Sequence, residues 1–181
     1  MTATVQNEPA WSVPVAVYEV PETGRHYHIV ADERTRSAVC ALAQLNDLPR
    51  LEADFDVARR GRSAVHVVGR VSATVEQTCV VTLETMRNEV EENIDVVYTS
   101  ETTGSDGEAV DIDFVLDDPP EALADGILDL GKVATEFLML GIDPYPRKPG
   151  AVFEPQQTAD NEGHPFAALA ALKKSPGRNG A

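Results

Sequence analysis

Apolar and polar positions alternate most cleanly where Leu51, Ala53, Phe55 and Val57 are interleaved with Glu52, Asp54, Asp56 and Ala58. This period of two predicts a strand with one face in a core and the other in water. Arg59-Arg60-Gly61-Arg62 predicts a turn, and Ala64 to Val71 the returning strand. In that return Val65, Val67 and Gly69 share one face, and His66, Val68 and Arg70 share the other. A further stretch from Val71 to Leu83 and a strand from Val90 to Thr99 carry the β-branched density that strands favour. Upstream, Val15 to Val20 reads as a strand closed by Pro21, with Tyr27 to Val30 pairing to it across Glu22-Thr23-Gly24-Arg25. Downstream, Val110 to Leu116 alternates again, as in a short edge strand, and Asp117-Asp118-Pro119-Pro120 breaks it.

Helical spacing occurs in three places. Asp32 is placed to cap a helix running to about Asn46, with Val39, Leu42 and Ala43 as its apolar face and Leu48-Pro49 as its stop. Asp129 caps a second, in which Leu130, Val133, Ala134, Phe137 and Leu138 recur as far as Gly141. Pro144, Pro146 and Pro149 then predict an extended arm. Residues 154–163 have the polar composition of a disordered linker. Pro165 sits at the first position of a short amphipathic helix with Phe166, Leu169 and Ala170 on one face.

The expected fold is therefore α+β: a mostly antiparallel sheet with two or more packed helices, and a tethered C-terminal helix. The expected divisions are a flexible N-terminus at 1–12, one α+β domain at 13–150, a linker at 151–163, the short helix at 164–174 and a tail at 175–181.

Charge changes this picture. The 181 residues carry a net charge of -15, and the acid is not spread evenly. Residues 84–125 hold fourteen Asp or Glu against the single Arg87, a local net of -13, whereas residues 1–70 hold nine acids and eight bases. Such a segment repels phosphate backbones and attracts a basic partner; a solvated loop would have the same composition. Glu89, Glu91, Glu92, Asp111 and Asp113 are the candidate contacts for a basic protein partner. Pro165, Phe166, Leu169, Leu172 and Lys173 form a helix suited to a partner's groove, with docking on its own domain as the alternative. The competing route is direct RNA contact through Arg59, Arg60, Arg62 and Arg70, or through Lys173, Lys174 and Arg178. Neither basic group is interleaved with aromatic residues that would stack bases.

Catalytic chemistry finds little support in the pattern. Cys40 and Cys79 make no disulfide framework and have no His or Cys at ligand spacing. His26-x-His28 would share a strand face, but no third ligand follows at a recognisable spacing, and His164 reads as a helix cap. There is no phosphate-binding glycine loop or dinucleotide fingerprint, and Ser105 lacks a nucleophile-elbow context. The carboxylates cluster away from His and Lys, as a solvated surface does. No catalytic, cofactor or metal residue is expected, and a non-enzymatic protein is. Met1 to Trp11 has no basic stretch followed by an apolar run, and no apolar run approaches the length of a membrane span, so the expected location is the cytoplasm.

Three segments in order resemble the YceD family, the large ribosomal RNA subunit accumulation proteins. The first runs from Val68-Gly69-Arg70 to Thr78-Cys79-Val80-Val81-Thr82-Leu83-Glu84. The second runs from Leu128-Asp129-Leu130-Gly131 to Gly141-Ile142-Asp143-Pro144-Tyr145-Pro146, and the third is Pro165-Phe166-Ala167-Ala168-Leu169 through Lys173. The resemblance implies a cytosolic role in accumulation or processing of large-subunit ribosomal RNA, beside a small basic ribosomal protein as a common gene neighbour, with no catalytic residues. The chain departs from the family pattern twice. Many relatives carry Cys-x-x-Cys where this chain has Cys79-Val80-Val81-Thr82, which removes a possible metal or redox pair, and His164 replaces an asparagine. Cys79 alone reads as a buried small residue of a strand.

Overall fold

The computed structural model describes residues 9–61, 64–99, 120–123 and 125–153. In chain order its elements are β1 (Pro14–Ala16), a 3-10 turn (Val17–Glu19), β2 (Arg25–Val30), α1 (Glu33–Leu42) and β3 (Asp47–Arg60). There follow β4 (Ala64–Thr78), β5 (Thr85–Thr99), β6 (Glu121–Ala122), β7 (Ile127–Asp129) and α2 (Leu130–Gly141). Five strands form one sheet in the order β2-β3-β4-β5-β6, antiparallel except for the short parallel pairing of β5 with β6. With α1 packed on β3 and α2 on β4 and β5, the architecture is α+β.

The alternation read at Leu51 to Val57 is that of β3. Leu51, Ala53, Phe55 and Val57 are buried, and across the sheet Val65, Val67, Val71, Val90 and Ile94 join them in one cluster with Val39 of α1 and Leu130, Val133 and Leu138 of α2. β3 and β4 pair from Arg60 opposite Ala64 down to Asp47 opposite Glu76, with a register shift between Asp47 and Arg50. Pro49 lies inside that shift and has no N–H to give the ladder. Gly69 faces Phe55 so closely that an added Cβ would lie 2.4 Å from the Asp54 carbonyl oxygen and 2.8 Å from the Phe55 ring. Only a residue without a side chain fits that crossing.

Four expectations differ from the structure. The strand expected at Val15–Val20 is three residues long and turns into the 3-10 turn, because Val17 and Val20 are both buried. Two positions three apart face one core through a helical turn, not through alternation. The pairing expected between this segment and Tyr27–Val30 is absent: β1 pairs with β7, and β2 pairs with β3. α1 stops at Leu42, which is exposed, rather than near Asn46. The chain leaves it through Gln44 at φ 55°, with Leu45 N donating to Cys40 O and Gln44 N to Ala41 O, a Schellman ending without its usual glycine. Leu48-Pro49 therefore does not stop the helix; both residues belong to β3, and Leu48 is buried.

The N-terminal expectation changes as well. Trp11, expected within a flexible stretch at 1–12, is buried. Its backbone crosses α2 at Gly131, where a Cβ would lie 2.8 Å from the Trp11 carbonyl. Asp129 holds the crossing together: Oδ1 accepts from Gly131 N and Lys132 N as the cap of α2 and from Val13 N, while Oδ2 accepts from Ser12 Oγ at 2.6 Å. The expected edge strand at 110–116, the linker beyond 153 and the C-terminal helix at 164–174 lie outside the described residues.

Candidate functional site

Both helices pack on the apolar side of the sheet, so the side chains of the opposite side stand in rows with no described layer over them. Register sets the rows. His26, Asp56, Val68 and Asp95 form one across β2 to β5, and His28, Asp54, Arg70 and Asn93 form the next. Beyond these come Val30, Glu52, Ser72 and Glu91, then Arg50, Thr74 and Glu89.

Polar pairs across neighbouring strands tie this face together. Arg50 donates to Glu52 at 2.6 Å and to Glu89 at 2.7 Å, and Thr74 Oγ1 donates to Glu89 at 2.8 Å. The Arg50 hydrogen bond, followed by that of Thr74, holds the Glu89 carboxyl below its ordinary range, and Glu89 in turn raises the guanidinium of Arg50. Arg87 is bound to Glu76, and Arg70 lies 3.6 Å from Glu91. Each histidine of the face has an aspartate beside it. His26 Nδ1 is 3.0 Å from Asp56, His28 Nδ1 2.7 Å from Asp54, and His66 Nε2 2.7 Å from Asp95.

The residues nominated from sequence do not all share this face. Glu89 and Glu91 do. Glu92, one residue on, points to the other side of the sheet, where its carboxylate lies against Gly141 at the end of α2. Asp111, Asp113, Pro165, Phe166, Leu169, Leu172 and Lys173 lie outside the described residues. The basic group is divided too. Arg59 sits opposite buried Val65 on the core side, with Nη2 3.4 Å from Glu22 and Nε buried without a partner. Arg60 is one position on, at the end of β3, and Arg62 is outside the described residues. His26-x-His28 does share a strand face, as read, yet its neighbours are the two aspartates. Among the described residues no group of three or more His, Cys, Asp or Glu could hold a metal ion.

Cys79 is the residue sequence reasoning misjudged. It is buried as expected but lies just past the end of β4, in the turn to β5. Its Sγ accepts from Thr82 N at 3.4 Å and from Lys148 N at 3.3 Å. Around it Val80 N donates to Pro146 O, Gln77 Nε2 to Asp143 O, and Lys148 Nζ to Glu84 at 2.9 Å. The extended arm of Pro144 to Pro149 is thus fastened to the β4–β5 turn, with Pro146 buried. The Lys148 N–H foremost, then the Thr82 side chain and the Thr82 N–H, bring the Cys79 thiol down to about 6. The only sequence signal was Pro146 and its neighbours, which mark an extended segment but not what it lies on.

A family model described as large ribosomal RNA subunit accumulation protein YceD matches residues 67–173, more than half of the chain. The chain belongs to the YceD family. Membership ties it to the accumulation of large-subunit ribosomal RNA. The YceD match begins within β4 and takes in the Cys79 turn, β5 and α2, so β2, α1 and β3 lie ahead of it. No curated protein and no solved structure gives a significant match. No helix among the described residues is long and apolar enough to cross a membrane.

Proposed function

We propose that this YceD protein is a non-enzymatic, cytoplasmic factor in the accumulation and processing of large-subunit ribosomal RNA and in ribosome assembly. It works as an adaptor that binds a basic ribosomal protein or a processing factor. Family membership supports the ribosomal part. The observation that carries the adaptor part is the placement of charge: the acid-rich segment 84–125 takes in β5, which displays Glu89, Glu91 and Asp95 on an exposed sheet face. A surface of that sign disfavours nucleic acid and favours a cationic protein. Direct RNA binding through Arg59, Arg60 and Arg62 is the weaker reading, since Arg59 is turned to the core side and engaged with Glu22.

Partner recovery tests the proposal. A tagged chain retrieves the basic partner from lysate treated with RNase, less of it as salt rises, and far less when the acids of 84–125 are changed to their amides. Undiminished recovery by the amide variant overturns the electrostatic mechanism. Loss of recovery on RNase treatment favours the RNA reading, which binding of precursor RNA by wild type and by the Arg59→Ala, Arg60→Ala, Arg62→Ala variant then decides.

A further inference from the structure

The two central rows of the open face contain three aspartates and one arginine. Arg70 of these rows lies beside Glu91, and Arg50 and Arg87 at the far end of the face are engaged with their own glutamates. Asp54, Asp56 and Asp95 each have a histidine ring nitrogen within hydrogen-bond distance. Asp56 and Asp95 are the most open, their side chains 77% and 73% exposed. Between them, one strand from each, stands Val68, an aliphatic residue 40% exposed and flanked by carboxylates, unlike Val30 at the edge strand of the same face. With neighbouring strands about 4.8 Å apart, the two aspartate positions are about 10 Å from one another.

A lysine or arginine side chain matches this arrangement. Its methylene stem lies on an aliphatic surface while its charged head reaches an adjacent carboxylate. A phosphate chain meets these carboxylates with like charge, and the histidines and Arg70 beside them are already engaged with the aspartates and Glu91. We propose that the row Asp56, Val68 and Asp95, with Asp54 beside it, is the surface on which a Lys/Arg-rich segment of a protein partner docks. This rests on the adaptor reading and gives that reading a place. The surface joins β3, ahead of the YceD match, to β4 and β5 within it.

The test uses the full chain and a labelled Lys/Arg-rich peptide of about fifteen residues, followed by fluorescence anisotropy at low salt. The triple variant Asp54→Asn, Asp56→Asn, Asp95→Asn raises Kd about tenfold or more. A control triple, Glu19→Gln, Glu33→Gln, Glu136→Gln, removes the same charge from exposed positions elsewhere and changes Kd less than about twofold. Val68→Lys weakens binding as the face triple does, while circular dichroism stays that of wild type. Equal weakening by the two triples overturns the proposal, as does tighter binding of a single-stranded RNA of similar length than of the peptide. Partner recovery separates the two levels. If the face triple still retrieves the basic partner, while neutralising the other acids of 84–125 with Asp95 kept abolishes retrieval, the surface is wrong and the adaptor reading stands. If neither change affects retrieval, both fall.

Discussion

Cys79 and Cys40, the chain's two cysteines, meet opposite surroundings. Cys40 donates from Sγ to Leu45 O at 3.4 Å, and burial, then Asp47, pushes its thiol up. Cys79 accepts two backbone N–H groups, and its thiol comes down from 9.0 to about 6. Hydrogen bonds to the charged form account for the second case. A group whose pKa is lower in the folded state stabilises the fold fully above the unfolded value, and the benefit is lost as pH falls through the folded value. Cys79 therefore adds stability that grows as pH rises from about 6 to about 9. The expected result is a gain in urea midpoint between pH 6 and pH 8.5 in wild type that shrinks in Cys79→Ser. An equal gain in both proteins would show that the thiolate is not held as the geometry implies. None of this was legible in the sequence, because the Lys148 donor arrives from sixty-nine residues away.

At the scale of elements, legibility followed local patterning. β3 was readable because its apolar residues alternate without exception from Leu51 to Val57, and α2 because Asp129 and the helical repeat agree. The end of α1 was not readable, since its ending places Gln44 in the left-handed region where glycine is the usual sign. Pairing of β1 with β7 joins residues more than a hundred positions apart, and no local rule announces it. The candidate face was half legible: the alternation of Glu52, Asp54 and Asp56 marked a solvent side, but only register shows which histidine meets which aspartate. Asp129 connects the local with the distant, capping α2 while holding Ser12 and Val13. Loss of an N-cap costs about 1–2 kcal/mol, and unhooking Val13 N adds to that. Asp129→Ala is expected to lower stability by about 2 kcal/mol in urea unfolding read through Trp11 fluorescence. Asp129→Asn keeps an oxygen acceptor and should recover more than half of the loss.

On the scale of the whole molecule, the stretch that identifies the family and the unit that folds are different. The YceD match starts at Val67, whereas one buried cluster takes Trp11, Val20, Val39, Leu51, Phe55 and Val57 from the first part of the chain and Val71, Ile94, Leu130 and Leu138 from the rest. Removing everything before Ala64 strips β4 of its β3 neighbour and takes Phe55 from over Gly69. The long edge so exposed is both unpaired and apolar on one face, a template for association. Burial of each large side chain is worth about 1.5–3 kcal/mol, and a domain's net stability is about 5–15 kcal/mol, so losing several core residues exhausts it. A fragment of residues 64–153 is therefore expected to show no cooperative urea transition by circular dichroism and to aggregate, while residues 9–153 unfold in a single transition. A cooperative transition in the shorter fragment would mean that β4, β5 and α2 form a core of their own, and that the first sixty residues are an addition to the family unit, not half of its foundation.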